Sequence, residues 1–232
     1  MASERVRGYV LGAVAAASYG LNPLFALPMY AAGMGADSVL FYRYVLAVAL
    51  LGALMLVRRR SFALHRRDVV PLVVMGLLMS ASSLLLFESY HFMDAGVAST
   101  ILFVYPVMVA VIMAVGFHER LTAASVLSIA LACAGISLLY KGGDGVTLNL
   151  TGVVLVFFSA LSYAVYIVGV NRSSLRTMST EKLTFYCLLF GSLIYVVRLR
   201  GCTELQPVPE PLLWINALSL ALFPTVISLV AM

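Results

Sequence analysis

Two ionisable side chains lie deep inside apolar segments, where a charge is costly. Arg43 lies six residues after Asp37, and Glu88 lies six residues before Asp94. If the two aspartates mark the same edge of a membrane, both inner residues lie about 9 Å from that edge, because a helix rises 1.5 Å per residue. A charge at such a depth usually faces a cavity or an opposite charge. The spacing predicts that Arg43 and Glu88 pair or face one vestibule, and leaves open whether they serve structure, substrate or protons.

A histidine lies close to one of these acids. His91 follows Glu88 by three residues, so a helix through this region would place the two side chains on one face. Histidine changes its protonation near neutral pH, and a histidine beside a carboxylate can pass protons. The pattern is typical either of a proton relay or of the solvated polar end of a membrane helix.

Prolines interrupt several apolar segments. Proline has no backbone N–H, so it leaves one carbonyl of the preceding turn without its helical donor, and inside a membrane that carbonyl needs another partner. The first apolar segment contains Tyr19 and Asn22, followed by two prolines. We predict that this segment lines a cavity, with Tyr19 and Asn22 as solute-binding candidates. The candidate hinges are Pro23, Pro28, Pro106 and Pro224.

The composition places these residues in a membrane. Hydrophobic residues make up 62% of the 232 positions and charged residues 11%, with a mean hydropathy of +1.03. A soluble domain has about 25% charged residues, so one soluble core could not bury this much apolar surface. The net charge of +5 comes mainly from short clusters between apolar segments, which set orientation in a bilayer and do not indicate nucleic-acid binding.

Apolar segments of about 20 residues can cross the hydrocarbon core of a bilayer. We predict an all-α integral membrane protein with eight spans, some of them shorter than this length. They cover residues 8–32, 38–57, 71–93, 97–117, 123–140, 150–170, 183–197 and 212–232.

Lysine and arginine are distributed unevenly between the loops. With a cytoplasmic N terminus, only Lys141, Arg198 and Arg200 lie on the outer side, and basic residues favour the cytoplasm. We therefore predict a multi-pass protein of the plasma membrane, here a bacterial inner membrane, with its N terminus in the cytoplasm. The basic residues on that side are Arg5, Arg7, Arg58, Arg59, Arg60, Arg66, Arg67, Arg120, Arg172, Arg176 and Lys182.

The chain is internally similar when it is shifted by 144 residues. The aligned pairs include Ser18-Tyr19 with Ser162-Tyr163 and Phe41-Tyr42 with Phe185-Tyr186. Tyr163 lies opposite Tyr19 and Tyr166 opposite Asn22, so both tyrosines join the solute-binding candidates. A repeat of five spans makes the second copy enter the membrane from the other side. Inverted repeats are a plan of secondary transporters, which bind substrate near the midplane between the halves.

The chain resembles the EamA-type permeases of the drug/metabolite transporter superfamily. The resemblance is carried by Arg43, Pro106, the Glu119-Arg120-Leu121-Thr122 corner and Ala134-Gly135-Ile136. It implies two inverted five-helix repeats, of which eight helices out of ten are present. Residues 1–140 would form the first EamA repeat, and residues 141–232 an incomplete second repeat of three helices. The missing helices would belong to a longer product, or another chain or a second copy in a homodimer would complete the unit.

The resemblance implies secondary transport of a small metabolite or drug-like solute, by export coupled to protons or to exchange. No catalytic residue, metal ligand or cofactor is expected, since the chain has neither a His-Glu-x-x-His pair nor a phosphate-binding loop. Two other functions stay open. One is a membrane scaffold or partner subunit without transport, and the other is a membrane-embedded enzyme.

Overall fold

The computed structural model describes residues 12, 14–15, 17–118, 130 and 149–228, and these residues contain helices and no strand. Residues 17–20 are helical, followed by a turn at Leu21. The later helices are α1 (Asn22–Ala31), α2 (Ala36–Val57), α3 (Arg66–Ser89), α4 (Ala95–Leu102), α5 (Tyr105–Phe117), α6 (Leu150–Arg172), α7 (Thr180–Arg198) and α8 (Leu213–Ala221). A 3₁₀-helix covers Ser174–Thr177, and a π-helix, Leu222–Ile227, continues α8.

Five helical segments of the described chain are long and apolar enough to cross a membrane. They are Ala36–Val57, Arg66–Ser89, Ala95–Phe117, Leu150–Arg172 and Thr180–Arg198. The third is apolar throughout, but its helix is interrupted at residues 103–104. Leu213–Ile227 is a shorter apolar helix. The coarse prediction of an all-helical membrane protein is therefore confirmed, whereas the predicted fifth span, 123–140, lies outside the described residues.

Several predicted spans differ from the helices at their ends or are interrupted. The third was expected to continue to residue 93, but α3 ends at Ser89, whose hydroxyl donates to the carbonyl of Leu86 at 2.6 Å. Asp94 then caps α4 and accepts from the N–H groups of Gly96 at 2.8 Å and Val97 at 3.2 Å. An aspartate at this position satisfies donors that the first helical turn cannot. A short polar turn thus joins α3 to α4.

The described chain divides into two compact units. The first comprises Met1–Leu77 and Thr177–Met232, and the second comprises Leu78–Arg176.

In the first unit, α2 and α7 pack side by side and run antiparallel. The start of α2 contacts the end of α7 through Asp37 and Arg198, and the start of α7 contacts Arg58, just after α2, through Glu181. The rings of Tyr44 and Tyr195 meet edge to face between the helices, with their centroids 5.0 Å apart. Both rings are fully buried, so they form the centre of this unit.

Glycine allows α3 to approach α7 very closely. A Cβ atom on Gly76 would lie 2.6 Å from the carbonyl oxygen of Cys187 and 3.1 Å from the nitrogen of Gly191. These are backbone atoms, so no side-chain movement could relieve the clash. The first unit is completed by α8, which packs against α1 and α2.

In the second unit, α6 packs against α4 and α5. Ser159 on α6 donates a hydrogen bond to the carbonyl of Ser82 at 2.7 Å, and the two hydroxyl oxygens are 3.1 Å apart. Both serines are buried, so this hydroxyl contact links α6 to the second half of α3 without exposing polar atoms to lipid.

Candidate functional site

At the first helix interruption, an asparagine side chain replaces the backbone donor that a proline lacks. Pro23 has no N–H to donate to the carbonyl of Tyr19, four residues earlier. The side chain of Asn22 takes that role, since its Nδ2 donates to the Tyr19 carbonyl oxygen at 3.0 Å. Asn22 is 1% exposed, so this bond forms away from solvent. The predicted break in the first span therefore falls at Leu21, and a side-chain amide satisfies the carbonyl that the proline leaves free.

At the second helix interruption, a threonine hydroxyl replaces the backbone donor that a proline lacks. Pro224 lies within the π-helix and cannot donate to the carbonyl of Leu220. Thr225 is the next residue, and its hydroxyl donates to that carbonyl oxygen at 3.0 Å. The distortion from α to π geometry at this point is of a kind that is frequent at functional sites.

Arg43 binds to this second break. Its Nε donates to the Thr225 hydroxyl oxygen at 2.7 Å. Arg43 is 2% exposed although it lies on α2, an apolar helix. A buried guanidinium, a hydroxyl and a proline-freed carbonyl thus form one connected chain of hydrogen bonds. Such networks are fixed in geometry because each member depends on the others.

The two repaired breaks lie on packed helices. The rings of Phe25 and Phe223 stack with centroids 5.9 Å apart, and the hydroxyl of Ser228 donates to the carbonyl of Ala15 at 2.9 Å. Asn22 lies between Ala15 and Phe25 in the chain, just as Thr225 lies between Phe223 and Ser228. The two contacts therefore place the breaks at a similar level of the packed helices.

This part of the first unit offers both kinds of hydrogen-bonding group. The Oδ1 atom of Asn22 is buried and has no hydrogen-bond partner among the described residues, so it is an available acceptor. The guanidinium of Arg43 supplies donors in a planar fork. Together they suit a polar solute with both donors and acceptors. The described part of the chain contains no group of three His, Cys, Asp or Glu side chains that could hold a metal ion.

The tyrosine candidates of the second unit contact each other. The rings of Tyr163 and Tyr166 stack with centroids 5.7 Å apart, and Tyr105 meets Tyr163 edge to face at 4.9 Å. Tyr163 and Tyr166 are both 8% exposed. The structure thus brings these two predicted residues together and adds Tyr105, which the sequence did not single out.

Glu88 and His91 lie at the end of α3, but only Glu88 is helical. His91 is exposed in the turn after the helix, where its N–H donates to the Glu88 carbonyl at 3.2 Å. The expectation of one shared helical face was wrong, because the helix ends two residues before His91. An ion pair between Arg43 and Glu88, and a proton relay through His91, stay predictions.

The four candidate hinge prolines have different settings. Pro23 lies in the first turn of α1, and Pro28 lies within that helix. Pro106 lies in the first turn of α5, just after the interruption at residues 103–104. Pro224 lies in the π-helix. Pro23, Pro106 and Pro224 therefore each adjoin an irregularity of the helical backbone. Their role as hinges stays a prediction.

One residue of the site was missed from the sequence. Thr225 connects Arg43 to the proline break, yet a single threonine in an apolar segment gave no periodic signal. The only hint was its position directly after Pro224, where a hydroxyl can reach the carbonyl that the proline leaves free.

The family of the chain follows from its first half. A model of the EamA-like transporter family matches residues 6–141, which is more than half of the sequence. The chain belongs to the EamA-like transporter family. Membership makes it a membrane-embedded, multi-pass protein of a family of transporters in the drug/metabolite transporter superfamily. Among the motifs that carried the resemblance, the corner at 119–122 and residues 134–136 lie outside the described residues.

The fold of this EamA-like protein is also found in a solved structure. The chain is similar to a protein of known crystal structure, with a TM-score of 0.75 and 18% sequence identity. The match covers 97% of this chain and 77% of the other chain. At this identity the likeness bears on the fold alone. No curated protein matches the sequence.

Proposed function

We propose that this EamA-like protein is a secondary transporter that exports a small metabolite or drug-like solute across the plasma membrane. The observation that carries the proposal is the buried Arg43, hydrogen-bonded to Thr225 beside the Pro224 break. A charged side chain inside an apolar helix is expensive and by default marks a functional site. Irregular backbone at membrane depth is tolerated where it lines a cavity or is covered by protein. Arg43, Thr225 and Asn22 would then bind the solute.

Inverted repeats would give the transporter its alternating access. Supporting this, α2 and α7 begin 144 residues apart, at Ala36 and Thr180. Their contacts are reciprocal as well. The hydroxyl of Tyr42 donates to the carbonyl of Gln206 at 3.1 Å, and that of Tyr186 donates to the carbonyl of Phe62 at 2.6 Å. Donors and acceptors are both separated by the same 144 residues, as a twofold relation between the copies would require.

The two repeats, residues 1–140 with five spans and 141–232 with three, would rock against each other. Coupling to the proton gradient or to exchange is part of the same proposal, with Glu88 and His91 as proton carriers.

Transport is tested by solute flux. A thermal unfolding screen against amino acids, nucleosides, sugars and cationic drugs identifies the ligand, because a hundredfold excess over its Kd stabilises the fold by about 2.7 kcal/mol. Flux of that solute is then measured in proteoliposomes. We expect Thr225→Val to reduce flux at least about tenfold, since a hydrogen bond to a charged group contributes about 1.5–3 kcal/mol. Thr225→Ser, which keeps the hydroxyl, is the matched control.

The outcomes separate the two functions. Flux lost in Thr225→Val and kept in Thr225→Ser supports transport through this site. A folded wild-type chain that gives neither flux nor a ligand-induced shift would instead favour a scaffold or partner subunit. Proton coupling is tested by Glu88→Gln, which we expect to abolish solute flux driven by a pH gradient.

Orientation is tested with Cys202, which is partly exposed in the loop after α7. In a variant with Cys133→Ala and Cys187→Ala, a membrane-impermeant maleimide added to intact cells should label Cys202 if the N terminus is cytoplasmic. Labelling only after lysis would reverse the proposed topology.

A further inference from the structure

The segment 58–67, which comprises the loop between α2 and α3 and the first two residues of α3, is called the basic loop below. It contains five arginines, and Lys182 of α7 contacts it. Two carboxylates lie among these cations, and both are already engaged. Glu181 pairs with Arg58 and Arg60, and Asp68 lies 3.8 Å from Arg67. The basic loop therefore has a large surplus of positive charge.

The basic loop is held in place by α7. The hydroxyl of Tyr186 donates to the carbonyl of Phe62 at 2.6 Å, and the Lys182 ammonium donates to the carbonyl of Ala63. The rings of Phe62 and Phe185 meet edge to face, with centroids 5.5 Å apart. These contacts fix the backbone, so the arginines project from a structured surface.

Arg59 occupies a position that favours glycine. The N–H of Arg60 donates to the carbonyl of Met55 at 2.8 Å and ends α2, while Arg59 adopts the left-handed conformation with a φ of 52°. Glycine is the usual residue at such a helix end, because a Cβ atom is disfavoured there. Arg59 is exposed, and neither Arg59 nor Arg66 forms an ion pair with any described residue. The strained backbone therefore presents a charge that pairs with no acid in the described part of the chain.

The location of the basic loop suggests what its charge binds. It joins the ends of two apolar helices that are long enough to cross a membrane, and it lies against the start of a third, α7. Segments next to such helix ends lie at the level of the lipid headgroups. Clusters of basic residues there attract anionic lipids. We propose that the basic loop binds the phosphate of anionic lipid headgroups, with Arg59 and Arg66 as the contact residues.

The α7 end provides a matched control. Arg200 also follows a helix in the left-handed conformation, with a φ of 46°, and the N–H of Gly201 donates to the carbonyl of Val196 at 2.8 Å. Unlike Arg59, however, Arg200 forms an ion pair with Glu204 at 3.1 Å. Substituting glycine at either position removes one charge and relieves the same backbone conformation.

The test follows thermal unfolding of the full chain in neutral detergent during titration with phosphatidylglycerol or phosphatidylcholine. We expect phosphatidylglycerol alone to raise the unfolding temperature. Arg59→Gly should raise the apparent Kd for phosphatidylglycerol about fivefold, because one basic side chain near an anionic surface contributes about that factor. Arg200→Gly should bind as the wild type does. Arg66→Gln, at the first residue of α3, is a second variant that removes a charge from the same surface without changing a left-handed backbone position.

The unfolding temperature measured without lipid separates lost binding from misfolding. Because glycine relieves the backbone strain, Arg59→Gly should unfold at no lower temperature than the wild type. The proposal is overturned if Arg59→Gly and Arg66→Gln both keep full phosphatidylglycerol binding, or if Arg200→Gly loses as much. It is also overturned if inorganic phosphate alone gives the same stabilisation, since the surface would then bind free anions.

Discussion

The two ends of the α2/α7 pair are fastened by the same types of contact. At each end, a carboxylate in the first turn of one helix pairs with arginine at the end of the other, and a tyrosine hydroxyl donates to a loop carbonyl. The acids also lie near helix N-termini, where negative charge is favoured. At one end the contacts are Glu181 with Arg58 and Tyr186 with Phe62, and at the other they are Asp37 with Arg198 and Tyr42 with Gln206.

The surface charge of the two ends is nevertheless opposite. The end formed by residues 58–68 and 181–182, here called the basic end, has six Lys or Arg and two acids. The end formed by Asp37 and residues 198–211, here called the acidic end, has two arginines and three acids. The fastening contacts recur because they hold the same helix pair. The surface charge does not recur, as we expect for two ends on opposite sides of a membrane, since basic residues favour one side.

The largest effect is expected between the two ends, where α3 packs against the middle of α7. Gly76→Ala places a Cβ atom 2.6 Å from the carbonyl oxygen of Cys187, so α3 must move away from α7. We expect a loss of about 3 kcal/mol in the free energy of unfolding, measured by SDS titration in mixed micelles. In Gly116→Ala the added atom meets no described atom within 4 Å. That control should be as stable as the wild type, and equal stability of both variants would contradict the close approach of α3 and α7.

The second prediction separates the two ends. Glu181→Gln removes a carboxylate that is 10% exposed and that pairs with two arginines, in a region with a large surplus of positive charge. We expect it to cost about 2 kcal/mol of unfolding free energy, because it weakens a charge-assisted hydrogen bond from Arg58 and the ion pair with Arg60. Asp37→Asn removes a carboxylate that is 24% exposed, at the end that has more acids than basic residues. It should cost below about 1 kcal/mol.

The same SDS titration measures both variants. A larger loss in Asp37→Asn than in Glu181→Gln would show that charge balance does not determine how much each pair contributes. A double variant should lose the sum of the two values, because the pairs lie at opposite ends of the helices and share no partner.

The sequence predicted the helices of this pair well but not the contacts between them. The predicted spans 38–57 and 183–197 differ from α2 and α7 by at most three residues, because charged residues bound both apolar segments. The alignment at 144 residues also matched Tyr42 with Tyr186. Their acceptors are backbone carbonyls, which have no side-chain signature, so the reciprocal bonds were visible only in the structure.

The candidate site was predictable to a similar degree. Arg43 and Asn22 were found because a charge or an amide in an apolar segment is conspicuous. Thr225 was missed, since threonine is common in apolar helices and its role depends on the proline before it. Pro106 was the predicted hinge, whereas the helix is interrupted at residues 103–104. The two positions differ because a proline disturbs the turn that precedes it.

The third prediction concerns the two tyrosine hydroxyls. Tyr186→Phe and Tyr42→Phe each remove one bond from a loop carbonyl, at 2.6 Å and 3.1 Å respectively. We expect each to cost about 1 kcal/mol of unfolding free energy, the net contribution of a neutral hydrogen bond. Phe41→Leu, which alters the preceding ring but leaves both hydroxyls, is a control for general changes in packing. If only one tyrosine contributed, the two ends would not be fastened in the same way.

The smallest effect distinguishes the geometry of the two ion pairs. Arg198 binds both oxygens of Asp37, through Nε at 2.6 Å and Nη2 at 3.0 Å, whereas Arg58 reaches one oxygen of Glu181. Lysine cannot reproduce a two-pronged contact, so Arg198→Lys should cost about 0.5 kcal/mol of unfolding free energy. Arg58→Lys should cost less, because it keeps a single charged contact and Arg60 remains beside Glu181. Unfolding measured at low and high salt checks this order. The difference should persist in high salt, since it arises from geometry, whereas a difference that disappears would assign it to long-range charge.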